Sequence, residues 1–329
     1  MKLRPYTLLA IAAVLAPLAA QAQVVKIDGS STVYPITEGV AEDFQKLKKN
    51  AIKVTVGISG TGGGFKKFCR NEIDIANASR PIQKKEMEDC KASGIEYFEL
   101  PVAFDALTVV VNPKNTFIKQ LTIAELKTMW EPAAQGKVMR WNQVNPAYPD
   151  AALKLFGPGA DSGTFDYFTE AVTGKSRSSR GDFTASEDDN VLVQGVAQDV
   201  NALAFFGYAY YAENQSRLRA VPIVAKAGQP AVGPSEKTVL DGSYQPLSRP
   251  IFIYVNVKSM AKPEVKEFVE YYLKESPRIA KEVKYVPLPA AAYTTNLEHL
   301  AKGKKGTVFG GANEIGITIE ALLAREAKL

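Results

Sequence analysis

The sequence predicts a two-lobed α/β protein whose sheets are mostly parallel and flanked by helices, and three observations carry that expectation. Strand and helix patterns alternate along the chain, the order that builds parallel sheets with helices on both faces. Four strand-to-helix turns carry Ser or Thr, three of them with Gly as well. Two extended apolar segments, 102–112 and 249–255, break the alternation and suit crossings from one lobe to the other. About 300 residues follow the N-terminal leader, enough for two lobes that each bury a core.

Val24-Val25-Lys26-Ile27-Asp28 reads as the first strand and runs into Gly29-Ser30-Ser31-Thr32. Beyond it Val33, Ile36, Val40, Phe44 and Leu47 have the spacing of one buried helical face, with Pro35 in the first turn where a missing N–H does no harm. Ile52, Val54, Val56 and Ile58 alternate with Lys53, Thr55 and Gly57, a strand period. Ser59-Gly60-Thr61-Gly62-Gly63-Gly64 follows, then Phe65, Phe68 and Cys69 on a helical face. The third turn joins Ile73-Asp74-Ile75-Ala76-Asn77-Ala78 to Ser79-Arg80-Pro81-Ile82, with Pro81 at the expected helix start. The fourth joins Leu153-Lys154-Leu155-Phe156 through 157–164 to a helix carrying Phe165, Phe168, Ala171 and Val172, with Gly174 as its stop signal. Two late helices are expected over 263–274 and 313–325. The resulting division is a leader over 1–22, one lobe from 24–105 with 254–329, and a second lobe from 106–253 inserted between the crossings.

The leader is read from Lys2 and Arg4, the apolar run 8–20 and the small-x-small pattern Ala20-Gln21-Ala22. This is the layout of a cleavable export signal, with cleavage expected near Ala22. The run is too short for a comfortable membrane anchor. Lys and Arg number 40 against 35 Asp and Glu, a net +5 that falls once Lys2 and Arg4 are removed. Such a balance predicts neither nucleic acid nor membrane binding, and the short runs 46–49 and 302–305 read as solvated surface. An exported chain with two cysteines, Cys69 and Cys90, favours a disulfide, the alternative being two buried thiols.

The chemistry lies in the turns. A helix N-terminus offers unsatisfied N–H groups and a partial positive charge, so an anion binds there without a lysine cluster. One Ser or Thr at such a place is an ordinary N-cap; four turns of this kind are more than capping requires. Gly60, Gly62, Gly63, Gly64 and Gly163 would let backbone N–H groups come close to a ligand. Arg80 is the one fixed cation within the four turns, and its forked donors match two oxygens of a tetrahedral anion. Arg140, Arg177 and Arg180 are more simply surface. The sequence 60–65 lacks the last glycine of a dinucleotide fingerprint and the Gly-Lys-Ser/Thr of a P-loop. The single histidine, His299, and two distant cysteines offer no metal site and no base for a serine nucleophile, so no cofactor and no enzyme activity are expected.

Asp28-Gly-Ser-Ser-Thr-Val-Tyr-Pro35, Ser59-Gly-Thr-Gly-Gly-Gly-Phe-Lys-Lys-Phe-Cys69, Ala78-Ser-Arg-Pro-Ile82, Gly157-Pro-Gly-Ala-Asp-Ser-Gly-Thr-Phe-Asp166 and Ser186-Glu-Asp-Asp-Asn190 together resemble the PstS-like phosphate-binding proteins of ABC transporters. The resemblance runs over essentially the whole chain beyond the leader. It implies a class II Venus-flytrap fold, a periplasmic location, a monomer, inorganic phosphate as ligand and delivery to the permease subunits of an ABC transporter. It implies phosphate donors at Ser31 and Thr32, Thr61 and Gly62, and Ser162, Gly163 and Thr164, to which the residue reading adds Arg80. Two positions depart from the family's best-known members, which carry Asp where this chain has Arg80 and Arg where it has Pro158. A Ser-Arg-Pro version is similar to a branch of the same family. Phosphate keeps a proton at neutral pH and sulfate does not, so a carboxylate acceptor would separate them. With the usual Asp replaced, Asp161 is the candidate and Asp28 the reserve, each with the alternative of a helix-end charge. Other readings are a receptor for sulfate or arsenate, an exported phosphate sensor and, least supported, a phosphatase-like hydrolase.

Overall fold

The structure is a computed structural model that describes residues 23–329, so the leader and its cleavage point lie outside the described residues. The chain runs β1 (Gln23–Gly29), α1 (Tyr34–Leu47), β2 (Ile52–Val56), α2 (Gly60–Cys69), β3 (Ile75–Ala78), α3 (Lys84–Ala92), β4 (Tyr97–Ala106) and β5 (Thr108–Val111). It continues through β6 (Leu121–Thr122), α4 (Ile123–Trp130), α5 (Trp141–Val144), β7 (Lys154–Pro158), α6 (Gly163–Thr173), β8 (Thr184–Ser186), α7 (Asp189–Gln198) and β9 (Ala202–Phe206). The remainder is α8 (Tyr208–Glu213), β10 (Arg219–Ala220), β11 (Ile223–Val224), α9 (Glu236–Leu240), β12 (Ser248–Asn256), α10 (Pro263–Glu282), α11 (Ala290–Lys302) and α12 (Ile319–Glu326).

Two five-stranded sheets form, ordered β2-β1-β3-β12-β4 and β10-β5-β9-β7-β8. Each is mixed rather than mostly parallel. β12 runs antiparallel to β3 and β4, and β5 antiparallel to β9 and β10. The cause is the crossing itself: β5 and β12 are the strands on which the chain enters the second sheet and re-enters the first, so each arrives against its neighbours' direction. The two passages touch where they cross, the Leu107 N–H donating to the Leu247 carbonyl at 2.8 Å.

Local pattern became local structure where one face is buried. α1 buries Ile36, Val40 and Phe44, and Phe44 meets Phe268 of α10 edge-on at 5.3 Å. Its stripe ends there, and Leu47 at the last helical position is 61% exposed. β2 is an edge strand, which keeps Ile52 buried while Lys53 and Thr55 face water. α6 ends at Gly174, left-handed with φ 87°. Pro81 does not open a helix: α3 begins at Lys84, where Gln83 and Glu86 form a reciprocal capping box. Late in the chain α10 continues through Pro277 to Glu282, α11 is an additional helix, and α12 begins only at Ile319 with Thr318 as its cap. Gly310, Gly311 and Gly316 hold positive φ and keep that stretch from joining α12. Cys69 at the end of α2 is bonded to Cys90 of α3.

Parallel strands of both sheets send their carboxyl ends to the same place. The turns after β1, β2 and β3 meet those after β7 and β8, the position where open α/β sheets bind ligands.

Candidate functional site

The turn leaving β1 depends on Gly29. Its φ is +137°, and a Cβ there would stand 2.2 Å from the Asn77 carbonyl oxygen, which excludes any side chain. The close approach lets the Ser30 N–H donate to that oxygen at 3.0 Å and places Ser31 and Thr32, both buried, at the head of α1. Tyr210 donates to the Ser31 carbonyl at 2.9 Å and Tyr285 to the Thr32 carbonyl at 2.7 Å, which fixes the turn from two other segments.

Around Thr32 three further hydroxyls gather. Thr61, in the first turn of α2, accepts the Ser79 N–H at 3.1 Å, and its Oγ1 lies 3.2 Å from the Ser79 Oγ. Thr164, in the first turn of α6, brings its Oγ1 to 2.8 Å from Thr32 Oγ1 and 3.5 Å from Ser79 Oγ. Arg249 on β12 donates from Nη2 to Thr164 Oγ1 at 2.8 Å and from Nη1 to the Gly163 carbonyl at 3.3 Å. Asp105 on β4 holds the same guanidinium at 3.0 Å. Burial pushes the Asp105 carboxyl up and Arg249 pulls it down. All four hydroxyls are buried. Rotatable hydroxyls and a fixed guanidinium, all able to donate, suit an oxyanion that must have every oxygen satisfied.

Gly163 lies directly against this cluster. A Cβ there would stand 2.5 Å from Thr61 Oγ1, 2.7 Å from Ser79 Oγ and 3.0 Å from Arg80 Cγ. Ser162 is the N-cap of α6 and accepts from the Thr164 N–H at 3.1 Å, so its oxygen serves the helix while its hydroxyl hydrogen stays available. The Gly62 N–H donates to the Asp161 carbonyl at 2.7 Å. The glycines of α2 therefore serve close approach of protein to protein. Cβ atoms at Gly60 and Gly62 would press on Asp161, and one at Gly64 on the Gly29 backbone at 2.7 Å.

Arg80 is fully buried, but its donors face carboxylates. Nε donates to Asp166 at 2.7 Å, and Nη1 and Nη2 to Glu86 at 2.8 and 2.7 Å. Burial works against the charge, yet Glu86 and Asp166 outweigh it and raise the guanidinium pKa. Arg177 also binds Asp166, at 2.8 Å, so this carboxylate is shared between two cations. Arg140 pairs with Asp150, and Arg180 with Asp182. Asp161 turns its carboxylate outward to Lys66 at 2.8 Å and is 38% exposed; Asp28 is tied to Lys67 and Ser59. His299 is buried beside Glu326, 3.7 Å from its carboxylate, and touches none of these groups. Among the described residues no group of His, Cys, Asp or Glu is placed to hold a metal ion. A groove of about 830 Å³ lined by Lys84, Met87, Lys91 and Tyr97 among others shares no residue with the hydroxyl cluster.

Three groups at this place escaped the sequence reading. Ser79 was visible as a hydroxyl beside Arg80. Arg249 announced itself only as a charge opening an otherwise apolar strand. Asp189, first residue of α7, is wholly buried, and neither of its carboxylate oxygens has a hydrogen-bond partner. Burial pushes its carboxyl up to about 8, with the nearby Ser31 hydroxyl acting in the opposite direction.

Residues 16–276 match the model of the PBP superfamily domain. The chain is 52% identical over 329 residues to Protein SphX of Synechococcus elongatus, covering 98% of this chain and 96% of that one. It is 39% identical to the phosphate-binding protein PstS of Staphylococcus saprophyticus, covering 82% of each. Among solved structures, a possible phosphate-binding protein from Planctomyces limnophilus is 48% identical with a TM-score of 0.62, covering 86% of this chain and 99% of that one. A phosphate-bound putative substrate-binding protein from Clostridium perfringens shares the fold, with a TM-score of 0.66 at 24% identity over 81% of this chain and all of the other.

Proposed function

Because the chain belongs to the PstS-like phosphate-binding proteins of the PBP superfamily, we propose that it captures inorganic phosphate between its two lobes and releases it to an ABC permease. The observation that carries this reading is the meeting of Thr32, Thr61 and Ser79, set by the first sheet, with Thr164, set by the second. Both lobes supply donors, so ligand binding and lobe closure are one event. Arg249 supplies the positive charge, with Ser31, Ser162 and the Gly163 turn completing the wall. Arg80 enters as the brace of that wall, holding Asp166 on α6 and Glu86 on α3 in register, and Gly62 as part of the closed contact with Asp161.

The function is capture rather than catalysis, in keeping with the substrate-binding family to which the chain belongs. A cleavable leader ending near Ala22 places the protein in the periplasm, where it works as a monomer and where the Cys69–Cys90 bond persists. The lobes are 24–105 with 254–329 and 106–253. The pairing of β12 with β4 from Ser248 onward favours drawing the second crossing near Leu247.

Titration calorimetry of the purified protein with phosphate is the direct test. The expected result is one-to-one binding of phosphate, with sulfate much weaker. No heat and no thermal shift with phosphate would reject the reading. Phosphate uptake after deletion of the gene separates delivery from sensing.

A further inference from the structure

Glu86, Arg80, Asp166 and Arg177 form a chain of alternating charges that passes from one lobe to the other. Arg80 and Glu86 lie in the turn after β3 and in α3, beside the first sheet. Asp166 and Arg177 lie in α6 and in the segment after it, beside the second. Arg80 Nε donates to Asp166 Oδ2 at 2.7 Å. Arg177 binds the same carboxylate, Nε to Oδ1 at 2.8 Å and Nη2 to Oδ2 at 3.3 Å. Resting on the two-lobed capture of phosphate, we propose that Arg80–Asp166 is the latch holding the lobes closed. Arg177 is its counterweight, a positioning residue that sets how fast phosphate is released.

The order of the charges makes the latch releasable. Breaking a buried ion pair is costly when it leaves one charge without a partner. Parting the lobes cuts this chain at its middle. Arg80 keeps Glu86, bound through Nη1 and Nη2 at 2.8 and 2.7 Å, and Asp166 keeps Arg177. Neither charge is stranded. Arg80 and Asp166 are both fully buried, so their pair depends on the lobes meeting. Lys66 and Asp161 also pair across the boundary, but at 62% and 38% exposure they contribute little.

Arg177 works against closure. Its bond to Asp166 lies within one lobe and persists on opening, so that bond does not choose between the two states. What changes is its distance from the charges of the other lobe. In the closed form both guanidiniums donate to Asp166 Oδ2, which brings two cations together. Repulsion from Arg80 outweighs the attraction of Glu86. The Arg177 side chain is 49% exposed, and its backbone N–H is held separately by Thr169 Oγ1 at 2.8 Å. Its charge can therefore be removed without opening a hole or moving the turn.

Two readings test the proposal in Arg177→Gln and Arg177→Lys. One is stopped-flow release of inorganic phosphate into an excess of a fluorescent phosphate trap. The other is fluorescence transfer between one dye on each lobe of the ligand-free protein. Arg177→Gln should release phosphate roughly 2–5-fold more slowly and hold the lobes closer without ligand, while Arg177→Lys matches the unaltered protein. The difference should shrink in about 0.5 M salt, which screens a half-exposed charge. Arg80→Met should move both readings the other way. Unchanged or faster release in Arg177→Gln overturns the proposal, as does an equal slowing in Arg177→Lys or slower release in Arg80→Met. Failure of the unaltered protein to bind phosphate is a different result, which rejects the capture reading. The ligand-free distance then still decides the latch, and an equal distance in Arg177→Gln and the unaltered protein overturns it.

Discussion

Thr164 is the residue on which the two halves of the site depend, since its one hydroxyl lies within reach of Thr32, Ser79 and Arg249. Thr164→Val keeps the shape and removes the hydroxyl. A hydrogen bond to a charged partner contributes about 1.5–3 kcal/mol, so phosphate affinity should fall by roughly 10–150-fold while the fold stays intact. Calorimetry returning an unaltered Kd would remove Thr164 from the site. Arg80 should behave in the opposite sense. Arg80→Met strands Glu86 and weakens the hold on Asp166, and breaking a buried ion pair costs about 3–5 kcal/mol of stability. Chemical denaturation should show that loss, and phosphate affinity measured well below the melting temperature should fall less than in Thr164→Val. A larger affinity loss with unchanged stability would make Arg80 a ligand contact after all. The contrast shows what was readable at this scale. Hydroxyls after strands mark a site because their position follows from local chain geometry. Arg80 and Arg249 meet partners on distant segments, and no local pattern records which carboxylate a buried guanidinium meets.

The elements that were easiest to read are those whose surroundings are simplest. β2 and α1 each face core on one side and water on the other, so their periods survive intact in the sequence. β4 and β12 are buried along their whole length, which left their direction, and hence the mixed character of the sheets, unmarked. The start of α3 was misplaced because Pro81 is a weaker signal than the reciprocal Gln83–Glu86 cap. The first turn of α6 is where element geometry meets function. Gly163→Ala is mild for a helix in itself, yet its Cβ would overlap Thr61 and Ser79 on the facing lobe. The expected outcome is a folded protein that does not close: phosphate affinity drops by more than tenfold, and small-angle scattering shows no compaction with phosphate. Compaction equal to that of the unaltered protein would refute the contact. The disulfide acts on neighbouring elements, closing a loop between positions 21 apart. Replacing both cysteines with serine should cost about 3 kcal/mol on the loop-entropy account, without altering phosphate affinity.

At the scale of the whole molecule, stability should run opposite to the usual acid sensitivity, because several carboxyls are buried in regions far from surface cations. Burial pushes Glu99 up to about 7 and Glu326 up to about 8, and Glu326 is raised further by Glu99. Glu99 keeps hydrogen bonds from Tyr254 at 2.6 Å and from the Val308 N–H at 3.0 Å, which limits its rise. For a carboxyl raised on folding, the native state holds a proton that the unfolded chain releases near its ordinary value. Stability is therefore fully present below about pH 4.5 for these groups and is lost progressively as pH climbs through 7 and 8. Asp182, held down to about 2 by Arg180, works the other way, but its contribution is complete above about pH 4 and leaves the neutral range to the buried carboxyls Glu99, Glu326 and Asp189. The ligand-free protein should thus melt at progressively lower temperature from pH 5 to pH 9 in chemical or thermal denaturation. Phosphate at a hundred times its Kd should add about 2.7 kcal/mol at any pH where binding persists, simply by mass action on the folded state. Glu326→Gln should flatten the ligand-free pH profile and leave the phosphate increment untouched, since His299 and Glu326 lie outside the site. A profile that stays as steep in Glu326→Gln would move the origin of the alkaline loss to Glu99 and Asp189, the other carboxyls that burial raises.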